Sequence, residues 1–231
     1  MATLIRLTVF ALALLLAACQ PQVSPLVSDA RLAPLSIPGG ARRFVVQPGE
    51  SELLVLVYRE GRLARLGHNH VISSTQLDGA VYLAPDVRDS AVELRLPLAA
   101  LEVDLPANRA RAGDDFPGEI DADAVAGTRD NMLGPAQLDA ERWPELLLVS
   151  RGVSGSEPSL QLQMELALKN QVTALTVPVR VRRDGDARLI AEGEFSVLQT
   201  ELGLEPFSAL LGALRVRDQV DIRFRIVAIA R

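Results

Sequence analysis

The chain has only two histidines, His68 and His70, and they stand two positions apart in Arg65-Leu66-Gly67-His68-Asn69-His70-Val71-Ile72. In an extended backbone residues i and i+2 share a face, so the imidazoles are expected side by side on one surface. Neutral imidazoles placed so could share a metal ion. Carboxylates such as Asp114, Asp115 or Asp130 would have to complete the set, because no further histidine is available. The pair could equally contact the polar end of a ligand, or hydrogen-bond within a strand-turn network.

Catalysis finds less support. Ser73 and Ser74 follow the histidines, but there is no Gly-x-Ser-x-Gly elbow and no assigned acid partner. A polar stretch around Pro106–Phe116 brings together Asp104, Asp114, Asp115 and Glu119 with Arg109 and Arg111. Paired carboxylates can act as acid and base, yet such charges are ordinarily a solvated, self-paired surface loop. Its length would suit a lid or a binding loop. The reading therefore carries no cofactor and no enzymatic activity.

The elements that must position these residues are strands. Leu53–Tyr58, His68–Ser73 and Gly79–Leu83 are short apolar runs ended by turn chemistry. Val92, Leu94 and Leu96 then face opposite to Glu93 and Arg95, and Pro97 stops the run. From Leu160 to Leu168 apolar residues recur with a period of two, which no amphipathic helix produces. Val177, Val179 and Val181 oppose Arg180 and Arg182, and Asp184-Gly185 predicts a hairpin into Leu189–Val197. Val220–Ile226 alternates as strictly. With Glu145–Ser150 this makes about eight antiparallel strands, the number that closes a small barrel. A helix is predicted over Asp121–Leu133 with Asp121 as N-cap, and a helical turn at Pro206–Leu211.

Upstream, Met1–Ala18 has one basic residue, Arg6, then an apolar run too short to span a bilayer that ends in small residues. It reads as an export signal. Leu16-Ala17-Ala18-Cys19 resembles the bacterial lipobox, which implies cleavage before Cys19 and acylation of its sulfur. Gln20 follows the cysteine, and resemblance to lipoprotein sorting in two-membrane bacteria then implies an outer-membrane anchor facing the periplasm. Residues 19–43, rich in proline and glycine, read as a lipidated tether, and residues 44–231 as one domain. A net charge of −5 excludes a general nucleic-acid binder, whose phosphate affinity rests on clustered Lys and Arg.

Several segments in order resemble the YceI-like family of bacterial periplasmic proteins. They are Thr128-Arg129-Asp130-Asn131-Met132-Leu133, Trp143-Pro144-Glu145-Leu146, Glu192–Val197 with Gln199–Leu204, and Val216–Ile222. The resemblance implies an all-β, lipocalin-like antiparallel barrel with one or two short helices. Its interior would hold an isoprenoid or similar lipid chain. Leu94, Leu96, Met164, Phe195, Ile222 and Phe224 are then expected to line the tail, with His68, His70 and Arg129 at the polar end. The aliphatic inward stripes suit an alkyl chain, each buried methylene contributing about 0.8 kcal/mol, and suit a side-chain-filled core equally well. Metal binding through the histidines, or an envelope interaction module built on a packed barrel, are the alternatives.

Overall fold

The computed structural model describes residues 32–231; the expected signal peptide, Cys19 and the first part of the tether lie outside the described residues. The strands in chain order are β1 (Arg42–Val46), β2 (Glu52–Val57), β3 (Arg59–Glu60), β4 (His70–Ser74), β5 (Asp78–Leu83), β6 (Ala91–Pro97) and β7 (Glu102–Val103). After helices α1 (Pro106–Ala112) and α2 (Ala122–Leu133) come β8 (Glu145–Ser156), β9 (Ser159–Leu168), β10 (Gln171–Asp184) and β11 (Arg188–Leu198). Two short strands, β12 (Ser208–Ala209) and β13 (Leu214–Val216), precede β14 (Gln219–Ala230).

Eight strands close an antiparallel barrel in the order β1-β5-β6-β8-β9-β10-β11-β14, with β14 returning to β1. The closing strand is shared. One edge of β14 follows β11 along its length, while the other pairs β2 through Asp221–Arg225 and β1 through Ala228–Ala230. From β2 the sheet continues through β4 to β7. Separately, β12, β13 and β3 form a small three-stranded flap.

The period-two stripes decide which face is inside. Leu160, Leu162, Met164, Leu166 and Leu168 of β9 stand opposite Val179, Val177, Leu175, Thr173 and Gln171 of β10. A one-residue slip would turn every one of them outward. On β8 an irregularity between Ser150 and Gly152 inserts an extra residue, Arg151. Without it the inward parity set by Leu146 and Leu148 would bring Gly152 and Ser154 inside; with it Val153 faces in. Arg151 itself points out, where it binds Glu165 and the carbonyls of Ala33 and Pro34. That contact holds the segment before β1 against the barrel.

The β10–β11 ladder runs only from Asp184↔Arg188 to Arg180↔Glu192. The cause is Pro178. Val181 gives its N–H to Pro158 on the β9 side, so three residues earlier the backbone nitrogen faces β11, and there proline has no hydrogen to donate. Beyond this point side chains of β10 reach the 3-10 turn that follows β11: Gln171 and Thr173 both donate to the carbonyl of Glu201.

One end of the barrel is filled. Leu98, Leu101, Val103, Leu166 and Leu168 form its packed core, and Val125, Met132 and Leu133 of α2 lie against them. Asp121 caps α2 as expected, its carboxylate accepting from Ala124 N at 3.0 Å. A second, smaller cluster sits outside the wall, where Leu54, Leu56 and Val71 meet Ala112 and Phe116.

Three local expectations are corrected. The strand carrying the histidines starts at His70, because a 3-10 turn at Ala64–Leu66 and Gly67 precede it and leave His68 in a non-regular link. Pro106–Ala112 is a helix with proline in its first turn, a position where the missing N–H costs nothing. Pro206–Leu211 is no helical start: β12 occupies Ser208–Ala209 and a 3-10 turn follows at Leu210–Gly212.

Candidate functional site

Below the packed end the barrel encloses a cavity of about 180 Å³. All six residues expected to line a ligand tail stand on its wall: Leu94 and Leu96 from β6, Met164 from β9, Phe195 from β11, and Ile222 and Phe224 from β14. Leu53, Leu148, Val177 and Leu189 complete much of the surface. Among the described residues the wall includes only three polar ones, Ser90, Arg95 and Glu157. An apolar cavity on the order of 150 Å³ stays dry and takes up hydrocarbon. Leu94, Phe195, Ile222 and Phe224 are only partly buried, whereas Leu96 and Met164 are fully buried, so the cavity is bounded partly by accessible side chains and partly by packed core.

One glycine lets an aromatic ring lie flat against the barrel wall. Gly193 stands directly opposite Phe224 in the β11–β14 ladder. A Cβ on residue 193 would come within 2.5 Å of the Phe224 ring and would also strike the carbonyl of Pro178. The ring therefore lies across Gly193, along the wall. Residue 193 sits in the inward parity, where a period-two reading expects an apolar side chain, and that interruption is the signal the sequence offered.

At the end away from the packed core, the cavity shares Val87 and Glu157 with a polar basin lined by Asp86, Arg88, Ser156 and Arg183. Arg183 holds Glu157 by two hydrogen bonds of 3.1 and 2.5 Å, and Arg88 holds Asp86, whose carboxyl is lowered to about 2 by those bonds. This basin was not anticipated. Its charges come from two turns far apart in sequence, Pro85–Asp89 and Gly155–Glu157, and from Arg183 near the end of β10, which the topology brings together.

The residues expected at the polar end are elsewhere: His68, His70 and Arg129 do not border the cavity. Arg129 donates to the carbonyl of Ala99 at 2.9 Å. The histidine rings lie 6.3 Å apart and nearly perpendicular, with His68 exposed. They do not present a shared face, because only His70 is in the strand. His70 Nδ1 instead meets Asp104 Oδ2 at 2.6 Å.

Asp104 is the centre of a buried polar cluster. Its other oxygen accepts from Arg109 at 2.6 Å and from the backbone N–H of Val71 at 2.9 Å. Arg109, only 3% exposed, also donates to the carbonyls of Asn69, Pro117 and Gly118. The expected solvated loop is thus corrected at these two residues: α1 carries Arg109 under the chain, where each guanidinium nitrogen finds a carbonyl or a carboxylate. Burial pushes the Asp104 carboxyl up, and the hydrogen bonds from His70, Val71 and Arg109 outweigh it, leaving the group below its ordinary range. Asp114, Asp115 and Glu119 stay exposed.

This cluster is structural in its geometry. It ties β4 to α1 and the loop after it. Among the described residues no group of three or more His, Cys, Asp or Glu side chains converges as metal ligands. Ser73 Oγ is buried without a hydrogen-bond partner, and Ser74 Oγ accepts from Gln76 N, so neither serine is paired with a histidine.

Comparison with known proteins adds to this geometry. The pattern of the YceI-like domain matches residues 47–228. No curated protein matches the chain. Among solved structures, BcnA of Burkholderia cenocepacia is similar at 16% identity and a TM-score of 0.56, over 79% of this chain and 98% of that one. A polyisoprenoid binding domain from Saccharophagus degradans, described as implicated in plant cell wall breakdown, is similar at 11% identity and the same TM-score. That match covers 81% of this chain and 98% of that one. At such identities the likeness concerns the fold.

Proposed function

The chain belongs to the YceI-like domain family, and from that premise we propose that its barrel binds an amphiphile with a long apolar, isoprenoid-like chain. The observation that carries the reading is the cavity, an open apolar space walled almost wholly by aliphatic and phenyl carbon inside a closed barrel. Water gains little there, and each methylene brought in from solvent contributes about 0.8 kcal/mol. The tail lies among Leu94, Leu96, Met164, Phe195, Ile222 and Phe224. The polar end lies in the basin of Arg88, Glu157 and Arg183, which adjoins the cavity and offers both signs of charge. A structural relative that is described as polyisoprenoid-binding supports the choice of ligand class.

The role is one of binding or carriage, not of turnover. We also propose that the mature chain is acylated at Cys19 and held in the bacterial envelope facing the periplasm, at the outer membrane. The lipobox-like Leu16-Ala17-Ala18-Cys19 and the following Gln20 support this. Metabolic labelling with a fatty-acid probe tests it, and label persisting in Cys19→Ser would overturn it.

For the ligand, the chain from Gln20 onward is purified natively and its organic extract analysed by mass spectrometry. An apolar-chain lipid in near-stoichiometric amount, or uptake of an added polyprenyl phosphate, is the expected result. A barrel that is empty and also refuses the added lipid overturns the proposal.

A further inference from the structure

The flap formed by β12, β13 and β3 has no place in lipid binding within the barrel, yet it carries the most exposed apolar side chains among the described residues. Leu211 is entirely exposed, Leu210 is 61% exposed, and Leu66 on the adjacent loop is 58% exposed. Leu63 N–H donates to Ala213 O at 2.8 Å, which holds the two loops side by side. The flap is anchored to the barrel by Arg217 N–H on Tyr58 O at 2.7 Å and by the Arg217 guanidinium 5.0 Å over the Tyr58 ring.

Two features single out this tip. The first is backbone conformation: Leu210 and Leu211 hold φ of 51° and 56°, the left-handed region that glycine or asparagine adopts at lower cost than leucine. Leucine is kept at two successive positions where it is both strained and wet, a combination that stability does not explain. The second is charge. Residues 59–67 and 207–217 contain Arg59, Arg62, Arg65, Arg215 and Arg217 against the single acid Glu60, in a chain whose net charge is −5. All five arginines are exposed; among the described residues only Arg215 makes an ion pair, to Glu60 at 2.8 Å, while Arg59 donates to the carbonyl of Gly67 and Arg217 stacks on Tyr58.

We propose that this tip docks on the surface of an anionic lipid bilayer, with Leu210, Leu211 and Leu66 entering the boundary between headgroups and acyl chains. The arginines behind them meet the phosphates, their aliphatic stems lying against the apolar layer. An exposed apolar tip suits a soft, deformable surface, and its sign complements anionic headgroups while opposing the net charge of the chain. The proposal stands independently of what the cavity holds.

Vesicle flotation with the chain from Gln20 onward tests it; that chain retains every described element and lacks the apolar leader. Vesicles of mixed phosphatidylglycerol and phosphatidylcholine should capture the protein, and pure phosphatidylcholine should not. Binding should weaken with salt. Leu210→Ser with Leu211→Ser should weaken binding on the order of tenfold or more, and Arg62→Gln or Arg65→Gln roughly fivefold each. The variant Leu210→Asn with Leu211→Gly separates docking from folding: it relieves the backbone, so its melting temperature should equal or exceed that of the parent while vesicle binding falls. Failure of the parent to bind anionic vesicles at low salt overturns the proposal, as does undiminished binding by either leucine double variant. Self-association in the absence of lipid, abolished by the same leucine changes, would assign the tip to a second copy and overturn it as well.

Discussion

Phe224 lies across Gly193 on the inner wall of the barrel, filling the space that any side chain at position 193 would need. Gly193→Ala should therefore destabilise by about 1–3 kcal/mol, the usual cost of overpacking. Phe224→Ala removes half of the conflict and leaves the Pro178 carbonyl in place, so the double variant should lose clearly less than the sum of the single losses. Urea denaturation of the four proteins measures the coupling. Additivity to within about 0.5 kcal/mol would show that ring and glycine do not depend on one another.

Leu94 faces the open part of the cavity and is only partly buried there. Leu94→Trp should fill space that is otherwise available to a ligand. The expected result is a folded protein whose uptake of an added polyprenyl lipid, read by native mass spectrometry, drops at least severalfold. Undiminished uptake by the folded variant would place the lipid elsewhere.

Arg109 is the counter-charge of a carboxylate that has no solvent exposure. Arg109→Met leaves Asp104 with His70 and one backbone donor, and should cost about 3–5 kcal/mol, the penalty for an uncompensated buried charge. His70→Ala should cost less, since Arg109 and Val71 still hold the carboxylate. Neither change should alter lipid content in the protein that remains folded. A His70→Ala variant that folds well but loses its lipid would return that residue to the ligand site.

The depressed Asp104 carboxyl sets an acid limb. A folded pKa below the unfolded value near 4 contributes stability that is complete above that value and is lost as pH falls through the lower folded one. Denaturation midpoints of the parent should hold from neutral pH to about 5 and fall below about 4. Asp104→Asn should be less stable at neutral pH, and its deficit should shrink as pH drops below about 4. A deficit that is constant with pH would show that the carboxylate's charge is not what the cluster uses.

Much of the barrel was readable because its information is local. Leu160 to Leu168 alternates strictly, and a strand's alternation says which residues share a face wherever the strand ends up. The same logic placed Leu94, Phe195 and Ile222 on one wall. Strand β1 was harder to see, since Arg42 and Arg43 open it and only Phe44 to Val46 mark it as a strand. The bulge at Arg151 was invisible for a different reason: it corrects parity in β8 relative to β9, and no property of one strand announces a mismatch with another.

His68 and His70 show the limit most plainly. Their spacing implied a common face only if both were extended, and the 3-10 turn before Gly67 denies that to His68. Asp104 and Arg109 resembled exposed loop charges, since burial of a charge depends on partners that residue type does not reveal.

By itself, then, the sequence determined the long strands from Leu53 onward, their inward stripes, the hairpin at Asp184-Gly185 and the cap of α2, because each follows from residues within one or two turns of backbone, whereas β1 and the two- and three-residue strands β3, β7, β12 and β13 were not legible in it. Tertiary structure alone decided that one end is packed and the rest open, that Gly193 clears the wall for Phe224, that Glu157 and Arg183 meet beside the cavity, and that Arg109 is buried on Asp104. Those are contacts between distant segments, and their energies arise from desolvation and fit that exist only once the barrel has closed.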